Sequence, residues 1–405
     1  MKVVQKINES RVFWLGVILC TVYNSYRYPL QINTATPTYS DTPFMLQAGK
    51  FLLACPLLVI AAVRCFRKTG SIRHWLIALG VLFLSSYALL KGVGDNNPKY
   101  LDLSFWMLFA LISVWAIDEI SVSTIDRYLR YLLIYALGTV LLQVVLFIVF
   151  GRLPALAFEG SYSIRFGGFL DDPNGFAAIL FLLMGWSYAR FRGWTRFLII
   201  ASIIVSMLLT QSWTALGFLI VVFLFWALAG IPKHPVLAIA MICTSALLVI
   251  FVIYPVAHSL RDIAEEVLTQ KQGSIEGHGF PWAQWVGRWS GWAVLGDSMY
   301  NFYESWWASS LVNFGVPWFC AFVSLLAALI ISLRNALSRA SGEAKAIYLG
   351  LLLFGSYFVF GSLNLPFPII FPINVIFFLF TFLVAFGKIR TEDDLTLVSN
   401  PVQVT

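Results

Sequence analysis

The sequence predicts an all-α, polytopic membrane protein of about twelve transmembrane helices, with one large outer-face loop that contains an amphipathic helix. Three observations predict it. The chain of 405 residues is 60% hydrophobic and 12% charged, with a mean hydropathy of +0.82, more apolar side chain than a water-soluble core absorbs. The apolar residues fall into runs of about 20, the length that crosses a bilayer as a helix. Aromatic residues make up 16% of the chain, with 15 Trp and 35 Phe, as lipid-facing surfaces and interfacial belts require.

The runs lie at roughly 12–30, 44–63, 74–92, 102–119, 130–150, 174–190, 196–210, 214–231, 235–256, 306–333, 346–363 and 369–387. The first follows the basic start "MKVVQKINES". It lacks a clear small-residue cleavage site, so a retained span is expected rather than a signal peptide. The seventh and eighth meet at "TQSWT", which predicts a tight helical hairpin. The whole chain, 1–405, reads as a single integral membrane domain, with residues 257–305 as its large outer loop.

Orientation comes from the basic residues. With the N-terminus cytoplasmic, 18 of the 27 Lys and Arg fall in cytoplasmic segments, among them Arg64, Arg73, Arg127, Arg130, Arg190, Arg196, Arg334, Lys345 and Lys388. Those segments are also the shorter ones, so their basic density is far higher. The positive-inside rule then puts both termini in the cytoplasm, and the loops 151–173 and 257–305 on the outer face.

Composition also excludes. The net charge of +7 is carried without any long basic run, so nucleic acid is not an expected partner. The five cysteines include no C-x-x-C pair, which argues against a disulfide framework or zinc site. His258 and His278 have no metal-ligand neighbour at the right spacing. No Walker, G-x-S-x-G or H-E-x-x-H pattern occurs. No metal and no cofactor are expected. There is no internal repeat of the kind that builds a two-half transporter.

Chemistry concentrates in three outer segments. In "RFGGFLDDPNGFAA", Asp172 and Pro173 form a helix-start signal: Asp favours the N-cap, and Pro at the first helical position gives up an N–H that was unpaired anyway. That leaves Arg165 and the close-approach pair Gly167-Gly168. An arginine beside a span needs an anionic partner, here Asp171 or a phosphate. In the large loop, Trp282, Trp285, Trp289 and Trp292 follow i, i+3, i+7, i+10 spacing, with Arg288 at the edge of the stripe. Two compatible readings follow: a surface helix with its Trp face among lipid headgroups, or an aromatic wall for sugar rings with Arg288 reaching a phosphate. Glu304 stands among Tyr303, Trp306 and Trp307. Partial desolvation there makes it a better base near neutral pH; a solvated acid at a helix start is the plainer alternative.

The order of these pieces resembles the O-antigen polymerase and O-antigen ligase superfamily of bacterial envelope glycosyltransferases: an arginine, then G-F-L-D-D-P-N before a span, "LLTQSWTALGFL" between the next two, G-R-x-x-x-W in a large loop, and Glu304-Ser305 before another span. The resemblance covers roughly residues 130–330. It implies transfer of a glycan from an undecaprenyl-pyrophosphate carrier to an acceptor hydroxyl at the outer face of the cytoplasmic membrane, without a nucleotide sugar or metal. By that resemblance Arg165 and Arg288 hold the pyrophosphate, and Glu304 takes the acceptor proton. Asp172, Asn174, Trp285, Trp289, Trp292 and Tyr303 contribute to substrate binding. Guanidinium groups suit the first task, since they stay charged and grip phosphate oxygens in pairs.

Two departures stand out. Ligases usually carry histidine where this chain has Glu304, which favours a polymerase. Many relatives carry arginine where Trp213 stands, so clamping here relies on fewer arginines or on Arg27 or Arg152. The partners implied are undecaprenyl-pyrophosphate-linked oligosaccharides, membrane lipids and a chain-length regulator. The alternatives are an O-antigen ligase and a flippase for the same lipid-linked sugar. A flippase calls for charge inside the spans, where charge is sparse: Lys50 is the clearest case, with Asp118 and Glu119 at an inner end.

Overall fold

The computed structural model describes residues 44–65, 70–117, 119–150, 166–170, 172–230, 296, 305–363 and 365–390. They are mostly helical. The helices are α1 (Phe44–Cys65), α2 (Ile72–Gly94), α3 (Pro98–Ala116), α4 (Val122–Phe150), α5 (Pro173–Arg190), α6 (Gly193–Thr210), α7 (Trp213–Gly230), α8 (Trp306–Arg339), α9 (Gly342–Gly361) and α10 (Ile373–Ala385). Each falls on one of the runs predicted above. The runs at 12–30 and 235–256, and most of the loop 257–305, lie outside the described residues. Among the described residues, six helices are long and apolar enough to cross a membrane: α2, α3, α4, α6, α8 and α9. This is a membrane-embedded protein. Rows of large apolar side chains on α2, α4 and α6 face outward, such as Leu90 at 73%, Ile148 at 74% and Phe197 at 61% exposure, a surface that water would not tolerate but hydrocarbon does.

Helix boundaries follow local capping chemistry. Asn97 accepts from the Lys99 N–H and precedes Pro98, so α3 begins four residues before the apolar run does. Ser71 caps α2 through the His74 N–H, and Ser305 caps α8 through the Ala308 N–H. The α6–α7 link is two residues, Gln211 in the left-handed region (φ 49°) and Ser212, the tight hairpin expected of "TQSWT".

Helix α5 is the axis of the bundle. Apart from Asn174 it is buried from Pro173 to Ser187, as a helix apolar on all sides must be. Its main partner is the antiparallel α9. They cross at Gly185 and Gly350, where a Cβ on Gly185 would lie 2.9 Å from the Gly350 Cα. Small residues let backbones approach where no hydrophobic effect drives helices together. Further along, Phe181 packs on Tyr357 (ring centroids 4.6 Å apart), so the pairing continues toward the N-terminus of α5 and the C-terminus of α9.

The helices alternate in direction, and the two ends differ in chemistry. One end holds Arg73, Arg127, Arg130, Arg190, Arg192, Arg196, Arg334, Arg339, Lys345, Lys388 and Arg390. There Asp126, 3% exposed, accepts from Trp186 Nε1 (3.0 Å), Arg190 Nε (3.0 Å) and Arg130 Nε (2.8 Å), and Arg190 also reaches Glu343 (2.7 Å). A short parallel pairing of β1 (Ile120–Ser121) with β2 (Ile389–Arg390) closes this end, supported by an Arg390–Glu119 ion pair. The opposite end holds the start of α5, the α6–α7 link and the start of α8.

Candidate functional site

The motif end is built around the start of α5. Asp172 is its N-cap: Oδ1 accepts from the Asn174 N–H (3.0 Å) and side-chain amide (3.2 Å), and Oδ2 from the Gly175 N–H (3.1 Å). Both carboxylate oxygens therefore satisfy groups that a helix start leaves unpaired. The helix-start reading of D-P-N describes this geometry, and Asn174 belongs to the same cap.

The segment before the cap is held as firmly. Phe166 to Leu170 are all buried. Gln143 on α4 clasps Gly168 by both backbone groups: its Nε2 donates to the Gly168 carbonyl (2.9 Å), and its Oε1 accepts from the Gly168 N–H (3.0 Å). Gly168 has φ +59°, and a Cβ there would fall 2.2 Å from the Phe176 ring. Only glycine fits both demands. The Phe166 N–H donates to the Leu209 carbonyl (3.0 Å), joining "RFGG" to the "LLTQS" segment. At that hairpin Thr210 Oγ1 accepts from the Ser212 N–H, and Ser212 Oγ accepts from Ala215.

The late segments reach the same end. The Trp306 N–H donates to the Ser362 carbonyl (3.1 Å), and the α5–α9 pairing brings Ser362 level with the start of α5. Ile373, the first residue of α10, lies beside Gly175. Asn374 is fully buried and donates from Nδ2 to the Pro368 carbonyl (3.1 Å), which fixes the turn between α9 and α10.

Two cations also belong to this end, and the sequence did not single them out as a pair of sites. Lys50 on α1 bonds Asp102 on α3 at 3.2 Å and lies 5.0 Å and 5.3 Å from the rings of Phe51 and Phe371. The mid-span charge noted in the sequence is thus a paired one, which is how a bilayer tolerates it. Lys91, in the last turn of α2, donates to the Asn313 carbonyl on α8. The signal for the latter was "NFGVPW", whose Gly-x-Pro interrupts an otherwise apolar run.

Of the expected site residues, Asp172 and Asn174 lie where described. Arg165, Arg288, Glu304, Trp285, Trp289, Trp292 and Tyr303 lie outside the described residues. Among the described residues no group of three or more His, Cys, Asp or Glu is placed to hold a metal ion. No protein-family profile, curated protein or solved structure matches this chain. Its function is read from its own residues.

Proposed function

We propose that this chain is a polymerase of polyprenyl-pyrophosphate-linked oligosaccharide repeats, of the type found in the O-antigen polymerase and ligase superfamily, acting at the outer face of a bacterial cytoplasmic membrane. One observation carries the reading: segments far apart in sequence, among them those that follow Arg165 and Glu304 and the "LLTQS" segment, converge on one end of the bundle. Phe166 bonds Leu209, and Trp306 bonds Ser362 beside the start of α5. The residues adjoining Phe166 and Ser305 in the chain are Arg165 and Glu304. The basic residues at the opposite end support a cytoplasmic assignment for that end, which leaves the motif end outside.

The chemistry is a displacement at the anomeric carbon. An acceptor hydroxyl oxygen attacks, the bond from that carbon to the pyrophosphate oxygen breaks, and the carbon inverts. Glu304 takes the hydroxyl proton. The leaving pyrophosphate keeps the electron pair, and Arg165 and Arg288 neutralise its charge, an electrostatic contribution to catalysis. Surface chemistry is favoured over transport because the described charged side chains lie within about two turns of a helix end.

Analysis of lipid-linked saccharides in a deletion strain tests the reading. A polymerase loss leaves single repeat units. Complete absence of surface glycan indicates a flippase instead, and finished polymer stranded on its carrier indicates a ligase.

A further inference from the structure

Helix α8 is interrupted. Gly315 has φ 82° and ψ 171°, a conformation essentially confined to glycine. Pro317, two residues on, opens the second segment, where its missing N–H is no loss. A break strips carbonyls of their helical partners, and at membrane depth each needs another. Lys91 supplies one: its Nζ donates to the Asn313 carbonyl at 2.5 Å. An ammonium there also meets the negative end of the first segment's dipole.

The Asn313 side chain is a different matter. It is fully buried, and neither Oδ1 nor Nδ2 has a hydrogen-bond partner among the described residues. A buried carboxamide left in that state is costly, and native interiors keep such groups where something else completes them. One turn beyond Lys91, Asp95 also leaves a buried Oδ2 unpartnered. Tyr87, Lys91 and Asp95 recur every four residues, so they share one face at the end of α2. The rings of Tyr87 and Tyr100 pack on Phe314 at 6.2 Å and 4.8 Å. From the large loop, Gly296 (φ 72°) is seated on the break so closely that a Cβ would lie 2.3 Å from the Asn313 carbonyl oxygen. That loop is the one that carries Arg288.

The open valences here are two N–H donors and acceptor oxygens on Asn313 and Asp95. The charges of Lys91 and Asp95 cancel. Asp95 opposes an anion and Lys91 opposes a cation, so the set suits a neutral ligand whose groups both donate and accept. Hydroxyls on a sugar ring do both, and aromatic neighbours suit the apolar face of such a ring. We propose that the α8 break is a saccharide site, with Asn313 and Asp95 hydrogen-bonding ring hydroxyls and Lys91 holding the interrupted backbone. This rests on the reading of the protein as an enzyme of lipid-linked saccharides, and it names where one sugar is gripped.

Thermal unfolding of the full-length, detergent-purified protein with glucose, galactose or N-acetylglucosamine tests it. At least one sugar should raise the wild-type Tm by several degrees. Asn313→Leu removes the unpartnered atoms at similar size; it should raise the sugar-free Tm and abolish the sugar-induced shift. Asp95→Asn keeps shape and should reduce that shift, which decides the matter if Asn313→Leu does not fold. The proposal is overturned by a wild-type protein that no sugar stabilises, by variants that respond as wild type does, or by a lowered sugar-free Tm in folded Asn313→Leu. The deletion-strain product analysis is independent of these results. A lost sugar shift with polymer still made in the deletion strain keeps the site and discards the polymerase. Single repeats in the deletion strain with an unaltered Asn313→Leu response do the reverse.

Discussion

Gln143 and Gly168 exchange a reciprocal pair of hydrogen bonds, side-chain amide to backbone amide, at 2.9 Å and 3.0 Å. Both groups are buried, so neither has water to fall back on. This clasp fixes the buried stretch from Phe166 to Leu170.

Gln143→Leu should therefore act at the motif end without unmaking the bundle. It leaves the Gly168 N–H and carbonyl buried without these partners, a cost of about 2–4 kcal/mol for the two groups. A lowered Tm with the protein still inserted in the membrane is the expected result. Gly168→Ala should be worse, since it combines a positive φ with a collision against Phe176. If Gln143→Leu matches wild type in Tm and in glycan output, the clasp is not what orders this segment.

Asp172 poses a sharper choice between structure and chemistry. Both of its oxygens accept hydrogen bonds from N–H groups of the α5 cap. Asparagine caps helices about as well as aspartate, whereas alanine costs about 1 kcal/mol. Asp172→Asn should consequently keep near-normal Tm and polymer output, and Asp172→Ala should lower both modestly. A large loss of polymer in Asp172→Asn at unchanged Tm would show that the carboxylate has a chemical task beyond the cap.

The contrast between these residues explains what was legible in the sequence. Asp172–Pro173 was readable because an N-cap is local: donor and acceptor lie within three residues. Asn97–Pro98 carries the same signal and starts α3 for the same reason, but hydropathy alone placed that start later. Helix positions were readable because apolar runs report them directly. The Gln143–Gly168 clasp was not, since its partners are 25 residues apart and neither residue type announces the other. The pairings of Lys50 with Asp102 and of Lys91 with the Asn313 carbonyl were hidden likewise, spanning separations of 52 and 222 residues. Gly315 was not singled out, although its Gly-x-Pro interrupts an apolar run, because its meaning depends on what α2 places against it.

At the opposite end, Asp126 ties α4, α5 and α9 together through Arg190 and Glu343. Its side chain is 5% exposed, while Arg190 is 26% and Arg130 48% exposed. Removing the carboxylate strands Arg190 and the Trp186 N–H. Asp126→Ala should cost about 2–3 kcal/mol, below the usual figure for a broken buried pair because the guanidiniums keep part of their hydration. Asp126→Asn retains one acceptor and should lose less. The readout is Tm and the amount of protein in the membrane. Glycan made per molecule of folded protein should be unchanged, which separates this lock from any residue of the motif end. A fall in output per folded molecule would instead couple the two ends through α5.

The proposed catalytic set makes the most direct demand. Arg165→Ala and Arg288→Ala remove the charges assigned to the leaving pyrophosphate, so each should abolish polymer while single lipid-linked repeats accumulate. Lysine at either position keeps the charge but loses the paired N–H grip, and should restore only part of the output. Glu304→Gln keeps size and removes the base, and should lower turnover by about 10²-fold or more. Glu304→His supplies a different base and should recover part of that loss. Equal amounts of each variant in the membrane are required for the comparison, which immunoblotting of membrane fractions establishes. Long-chain polymer at wild-type level from both arginine variants would remove the pyrophosphate clamp, and the polymerase assignment with it. Loss in the arginine variants with full activity in Glu304→Gln would keep the clamp and move the base to another residue.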